Sequence, residues 1–192
     1  MPPEFYDVLF ATFSFILGAA IGSFLNVCIY RMPRELSVNE PRRSFCPGCK
    51  YQIPWHRNLP LVSWLSLRGK CANCGAPIPV RYFLVELITG LLFLAVWWRI
   101  GRIEPSLLVP YWIMISLFVV ATFIDLEHFI IPDQITIGGT VVGIICAMIF
   151  PKLMAVTSLP GNILAVIPAV LVGLPIWWFF EKRSRVTSPP QS

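Results

Sequence analysis

Five apolar runs alternate with short polar stretches along this chain, at about 8–30, 83–98, 107–124, 135–150 and 163–180. A helix needs about 20 apolar residues to cross a bilayer, so the pattern predicts five membrane-spanning helices. The fourth run is short and calls for tilt or help from its neighbours. The polar interruptions are one long loop at 31–82, a turn at 125–133 and a tail from 182 rich in Ser and Pro, which predicts no regular structure. Gly18-Ala-Ala-Ile-Gly22 and Gly139-Thr-Val-Val-Gly143 place small residues one turn apart, the pattern that lets helices approach closely within a chain or between two copies of it. No repeat of fixed period is evident.

Composition agrees with the pattern. Hydrophobic residues are 56% of the 192 and charged residues 13%, with a mean hydropathy of +0.72, which excludes an ordinary soluble domain. The formal net charge is +5, and nine of the fifteen lysines and arginines fall within 31–81. Between two spans such a cluster marks the cytoplasmic side and does not call for nucleic acid. With the N-terminus outside, five crossings place the 31–82 loop, the 125–133 turn and Lys182-Arg183 inside. Glu4 and Asp7 stand where a cleaved signal would carry positive charge, so the first run reads as a retained span. Trp97, Trp98, Trp112, Trp177 and Trp178 fit an aromatic belt at the membrane surfaces.

The loop carries the clearest chemistry. Cys46-Pro-Gly-Cys49 and Cys71-Ala-Asn-Cys74 are two CxxC knuckles, with 21 residues between Cys49 and Cys71. Four thiolates complete a closed tetrahedral zinc site and leave no open position for catalysis, so a structural metal in a small ribbon-like cytoplasmic lobe is the expectation. On the reducing side of the membrane metal is favoured over disulfides. Pro54, Trp55, Pro60, Trp64 and the turn Arg68-Gly69-Lys70 suit short strands and tight turns. His56 offers an alternative nitrogen ligand, though a surface or packing role accounts for it as simply. Cys28 and Cys146 lie inside apolar runs and read as small core residues.

The second dense patch is Ile124-Asp-Leu-Glu-His-Phe-Ile-Ile-Pro-Asp133, with Asp125 at the end of the third run and Pro132 forcing a new element to begin at Asp133. Three readings stand side by side. The charges solvate a helix end, or Asp125, Glu127, His128 and Asp133 hold a metal, or a carboxylate pair performs acid–base hydrolysis. Within the spans, Ser23 and Asn26 predict interhelical hydrogen bonds. Glu86 predicts an interfacial ion pair with Arg81 or, alternatively, a polar contact to a cofactor or substrate.

Taken together, five ordered stretches resemble the type IV prepilin peptidases, membrane aspartic proteases that also N-methylate their products. They are Gly22-Ser-Phe-Leu-Asn-Val-Cys-Ile-Tyr-Arg-Met-Pro33, Ser44-Phe-Cys-Pro-Gly-Cys49, the run from Asn58 to Cys74, Arg81-Tyr-Phe-Leu-Val-Glu-Leu-Ile-Thr89, and Ile124 to Asp133. The resemblance implies an all-helical inner-membrane protein of bacteria, in which 1–30 is the first span, 31–82 a zinc-binding, methylation-associated loop, 83–181 the helical peptidase-like region and 182–192 a tail. It implies cleavage of the leader of a prepilin or pseudopilin, of type IV pili or type II secretion, at the cytoplasmic face. Methylation of the new N-terminus from S-adenosylmethionine would follow. Asp125 aligns with the first catalytic aspartate, and Cys46, Cys49, Cys71 and Cys74 with the zinc ligands. The family's second catalytic aspartate lies in a Gly-x-Gly-Asp motif that these residues lack, and after Asp133 the only acidic residue is Glu181. Asp133, Glu127 and Glu181 are the candidates to partner Asp125. The chain is then expected to belong to a longer protein, or to be a shortened or a degenerate relative. The rival functions are a methyltransferase without protease activity and a non-enzymatic zinc-bearing adaptor of the pilus or secretion machinery.

Overall fold

The computed structural model describes residues 3–40, 44–46, 48–54, 58–130 and 132–154, and the chain divides into two compact units, 1–140 and 141–192. The described residues are helical, without strands. Helix α1 runs Pro3–Arg31, α2 Val62–Ser66, α3 Val80–Val96, α4 Leu108–His128 and α5 Asp133–Ile149. With their flanking turns, α1, α3 and α4 form three stretches long and apolar enough to cross a membrane: Glu4–Arg34, Val80–Gly101 and Pro105–His128. The fourth expected span is a shorter apolar helix, α5, and the fifth lies outside the described residues. Many large apolar side chains on α1, α3 and α4 are exposed, among them Ile16, Phe24, Leu91 and Phe118, as lipid-facing helices require.

Antiparallel packing of α1 on α3 organises the first unit. A side chain added at Gly22 would stand 2.8 Å from the Glu86 Cα, and one at Gly18 would stand 2.9 Å from the Gly90 Cα. The two backbones therefore touch at these glycines, with no room for a Cβ. Four residues along α1 from Gly22, the Asn26 amide donates to the Tyr82 carbonyl at 3.0 Å, four residues back along α3 from Glu86. Toward the other end Phe10 stacks on Trp97 with centroids 5.1 Å apart. Asp7 there accepts from Trp97 Nε1 at 3.1 Å and pairs with Arg102. Trp97 is thus a buried packing residue and not part of a lipid-facing belt, whereas Trp98 is half exposed. Trp112 of α4 stacks on Phe93 at 5.2 Å, and Trp177 and Trp178 are outside the described residues.

Where α1 meets α4 and the start of α5, Leu25, Cys28, Ile29, Val85, Val119, Val120, Ile124 and Ile135 form the buried apolar core. Cys28 is one of its small residues, as expected, and Cys146 is buried too. The chain leaves α4 through Phe129, whose left-handed backbone (φ 53°) closes the helix by donating its N–H to the Asp125 carbonyl at 2.8 Å. Pro132 and Asp133 then open α5, as the sequence predicts.

Candidate metal centre and adjoining cavity

The two knuckles are built on one plan, with the described residues of the first matched 25 positions later. Phe45 bridges Gln52, and Lys70 bridges Pro77. The Cys46 N–H donates to the Tyr51 carbonyl at 3.0 Å, and that of Cys71 to Ala76 at 2.8 Å. Each turn closes onto the carbonyl of its first cysteine, from Lys50 (φ 58°) at 2.9 Å and from Gly75 (φ 71°) at 2.9 Å. The expected short strands are only these isolated bridges, because both turns reverse the chain at once and Pro54, Pro77 and Pro79 cannot donate to a ladder. The repeat escaped detection because the matched positions share backbone geometry, while beyond the cysteines their side chains differ.

All four sulfurs lie within 4.8 Å of one another. Cys46 and Cys74 are 3.9 Å apart and Cys49 and Cys71 4.0 Å. Zinc–sulfur bonds of about 2.3 Å set tetrahedral ligand sulfurs roughly 3.8 Å apart. The donor set fits a zinc ion, and two of its separations are already close to this value. Backbone N–H groups of Cys74 and Asn73 hold the Cys71 thiol down to about 6, and hydrogen bonds from Tyr51 and then Asn73 lower that of Cys49. The Ala76 N–H pulls Cys74 down, but its neighbours Cys49, Cys71 and Cys46 and partial burial outweigh it and push this thiol up to about 11. Such a split is what crowded thiols that hydrogen-bond one another show. His56, the alternative ligand, lies outside the described residues.

The lobe sits over the seam between α1 and α3. Trp64 packs on Phe83 at 5.2 Å and donates Nε1 to the Ile78 carbonyl at 3.3 Å. Gly69 (φ +66°) passes under the Trp64 ring so closely that a Cβ would come within 2.9 Å, so only glycine fits this turn. Phe45 takes the Lys50 ammonium at 5.4 Å and the Arg31 guanidinium at 6.0 Å. Between lobe and helices lies a cavity of about 490 Å³, walled by Cys46 and Cys71 on one side and by Ser23, Asn26, Tyr82 and Glu86 on the other. Arg31, Arg34 and Arg81 stand along it, with Glu127 at its edge.

The expected Glu86–Arg81 ion pair does not form. Arg81 pairs with Glu127, and Glu86, only 8% exposed, accepts the Leu61 N–H at 2.7 Å. Asn26 makes the predicted interhelical bond. The sequence marks Ser23 and Asn26 as polar positions in the first span and Glu86 in the second, but not that one cavity collects them. The antiparallel register of α1 and α3 does that.

The acidic turn is different. Asp125, Glu127 and Asp133 are all exposed. Glu127 is engaged by Arg81, with His128 4.0 Å away. Among the described residues, Asp125 makes no side-chain hydrogen bond or ion pair, and the four cysteines are the one cluster of three or more potential metal ligands close together. Glu181 is outside the described residues.

Residues 16–100 match the Bacterial Peptidase A24 N-terminal domain. A prepilin leader peptidase/N-methyltransferase of Myxococcus xanthus is 49% identical over 149 residues, 78% of this chain and 43% of the relative. Its namesakes in Aeromonas hydrophila and Legionella pneumophila are 35% and 37% identical, over 90% and 78% of this chain and 66% and 60% of their own lengths. The chain belongs to the prepilin leader peptidase/N-methyltransferase family. It spans 43% to 66% of the length of these relatives. The matched domain covers the far half of α1, the whole cysteine lobe and α3, which is also where the cavity lies. No solved structure matches the chain.

Proposed function

We propose that this chain serves the maturation of type IV prepilins and pseudopilins in the inner membrane, with the cysteine lobe and Asp125 on the cytoplasmic side. The observation that carries the reading is the cavity of about 490 Å³ enclosed between a four-cysteine lobe and the α1–α3 seam, in a chain whose relatives are named N-methyltransferases. Zinc in this reading is structural: it ties two knuckles 25 residues apart into one roof. S-adenosylmethionine would supply an electrophilic methyl group for the amine of the processed chain. The protein's share is to hold that amine in a partly dry site and to exclude water. The size of the cavity and its aromatic and charged lining suit such a ligand.

Asp125 is proposed as one of the two carboxylates of an aspartic protease. It stands at the membrane-surface end of α4, exposed and with no side-chain hydrogen bond among the described residues, so it is open to substrate and to a second acid. Glu127 is the weakest of the candidate partners, because Arg81 already neutralises it. Asp133 and Glu181 remain candidates. That contrast favours, as a second reading, methyl transfer without proteolysis.

The deciding experiment pairs a cleavage assay on a prepilin in liposomes with mass spectrometry of the product N-terminus, using the zinc-loaded chain and its Asp125→Asn variant. Cleavage by the parent and none by the variant supports the protease. Methylation of a pre-cleaved pilin by both, with no cleavage by either, supports the second reading. Neither reaction from folded protein overturns both.

A further inference from the structure

Glu86 and Asn26 together are in electrostatic debt. Glu86 is 8% exposed and its hydrogen-bond partners are the Leu61 N–H and the Ser23 hydroxyl, both neutral. Among the described residues it forms no ion pair, since the cation nearest along its own helix, Arg81, is held by Glu127. A carboxylate taken out of water without a counter-charge is costly. Asn26 is 2% exposed, and its Oδ1 has no hydrogen-bond partner although its amide nitrogen is committed to the Tyr82 carbonyl at 3.0 Å. That donation fixes the amide's orientation and leaves its oxygen a free acceptor. The two residues face the same cavity from opposite sides of the α1–α3 seam. Two buried acceptors therefore line one cavity, and although Arg31, Arg34 and Arg81 line it too, none of them is ion-paired with Glu86 among the described residues.

We infer that the buried pair Glu86–Asn26 in this cavity is a recognition site for a primary α-ammonium group. Its NH₃⁺ supplies three donors and one positive charge, which matches a carboxylate plus an unpartnered amide oxygen. Tyr30, Tyr82 and Trp64 line the same cavity and give an adjoining apolar side chain a surface to lie on. Two ligands carry this chemistry: the free N-terminus of a peptide that begins with a bulky apolar residue, and the amino-acid end of a sulfonium methyl donor. The inference deepens the methylation half of the proposed function and rests on it for biological meaning, but the binding itself needs no turnover.

The test is calorimetry on the zinc-loaded full chain in detergent with four probes: phenylalaninamide, N-acetylphenylalaninamide, S-adenosylhomocysteine and its deaminated analogue. Each free amine is expected to bind at least about tenfold more tightly than its capped or deaminated twin. Preference in the phenylalaninamide pair assigns the site to the peptide N-terminus, and preference in the other pair to the methyl donor. In Glu86→Gln the side-chain carbonyl can still accept the Leu61 N–H, so the lobe stays anchored, and the preference is expected to fall toward unity. A purely structural defect would weaken both members of a pair alike. Asn26→Leu is expected to lower the same preference by a smaller factor. Equal binding of free and capped probes, an unchanged preference in Glu86→Gln, or no binding of any probe to folded zinc-loaded chain overturns the inference. Selective binding without turnover would leave the site standing while the proposed activity falls. Turnover with no amine preference would do the reverse.

Discussion

The cysteine lobe and the acidic turn both gather ionisable side chains at a helix end, and both stand out in the sequence, yet they reach the folded state in opposite conditions. In the lobe every ligand lies within one loop, and the backbone turns that carry them bring four sulfurs within 4.8 Å of one another. In the turn, Asp125, Glu127 and Asp133 are exposed, and among the described residues only Glu127 has a side-chain partner, on a different helix. The lobe is locally complete and asks only for a metal. The turn keeps two exposed carboxylates, Asp125 and Asp133, that no described side chain engages.

The largest expected effect tests completeness directly. Cys71→Ser removes a ligand and part of the cavity wall, and because structural zinc contributes on the order of 10 kcal/mol to folding, the bound zinc and the protease resistance of the lobe should both be lost. Asp125→Asn should leave both intact, as measured by metal analysis and limited proteolysis. Retained zinc in Cys71→Ser would mean that the lobe is not closed in the way its geometry requires.

The next effect probes what each region rests on. Gly22→Ala forces a methyl group to within 2.8 Å of the Glu86 backbone beneath the lobe and should destabilise the protein by about 1–3 kcal/mol. Gly139→Ala, in the helix that follows the turn, meets only the end of the Leu117 side chain at 3.4 Å and should be close to neutral in a detergent melt. Equal losses would erase the difference in support.

Arg81 and Glu127 tie the two regions together, but Glu127 is 36% exposed, so a double-mutant cycle of Arg81→Gln and Glu127→Gln should return only about 0.2–1 kcal/mol, shrinking with salt. A much larger coupling would make lobe and turn one cooperative site. The smallest effect is one of order. At the onset of zinc removal near neutral pH, before the lobe unfolds, iodoacetamide should label Cys71 before Cys74, because in the folded lobe their thiols sit at about 6 and about 11. The sign follows from the lowered thiol: the stabilisation that Cys71 gains as a thiolate is present above its unfolded pKa and is lost as pH falls through about 6.

The sequence made the lobe legible because CxxC spacing is a constraint on local geometry, and local geometry survives whatever the rest of the chain does. The first three apolar runs were legible from length and composition, but the glycine pair at 18 and 22 was legible in kind only, since the matching pair at 139 and 143 meets no backbone. What could not be read was register. Nothing in the order of residues says that Asn26 meets Tyr82 or that Gly22 meets Glu86. The ion pair expected within α3 therefore went instead to Glu127, 46 positions from Arg81. The short strands failed to appear because each knuckle spends its backbone on a tight turn and leaves no residues for a ladder.

The glycine contacts between α1 and α3 also determine how a ligand can travel. At Gly18 and Gly22 the two backbones leave no gap for even a methyl group, so this flank is closed to a lipid tail and to any third helix. If the cavity takes the end of a membrane-embedded segment, as proposed, that segment cannot slip sideways through this seam and has to arrive around another flank or from the aqueous side.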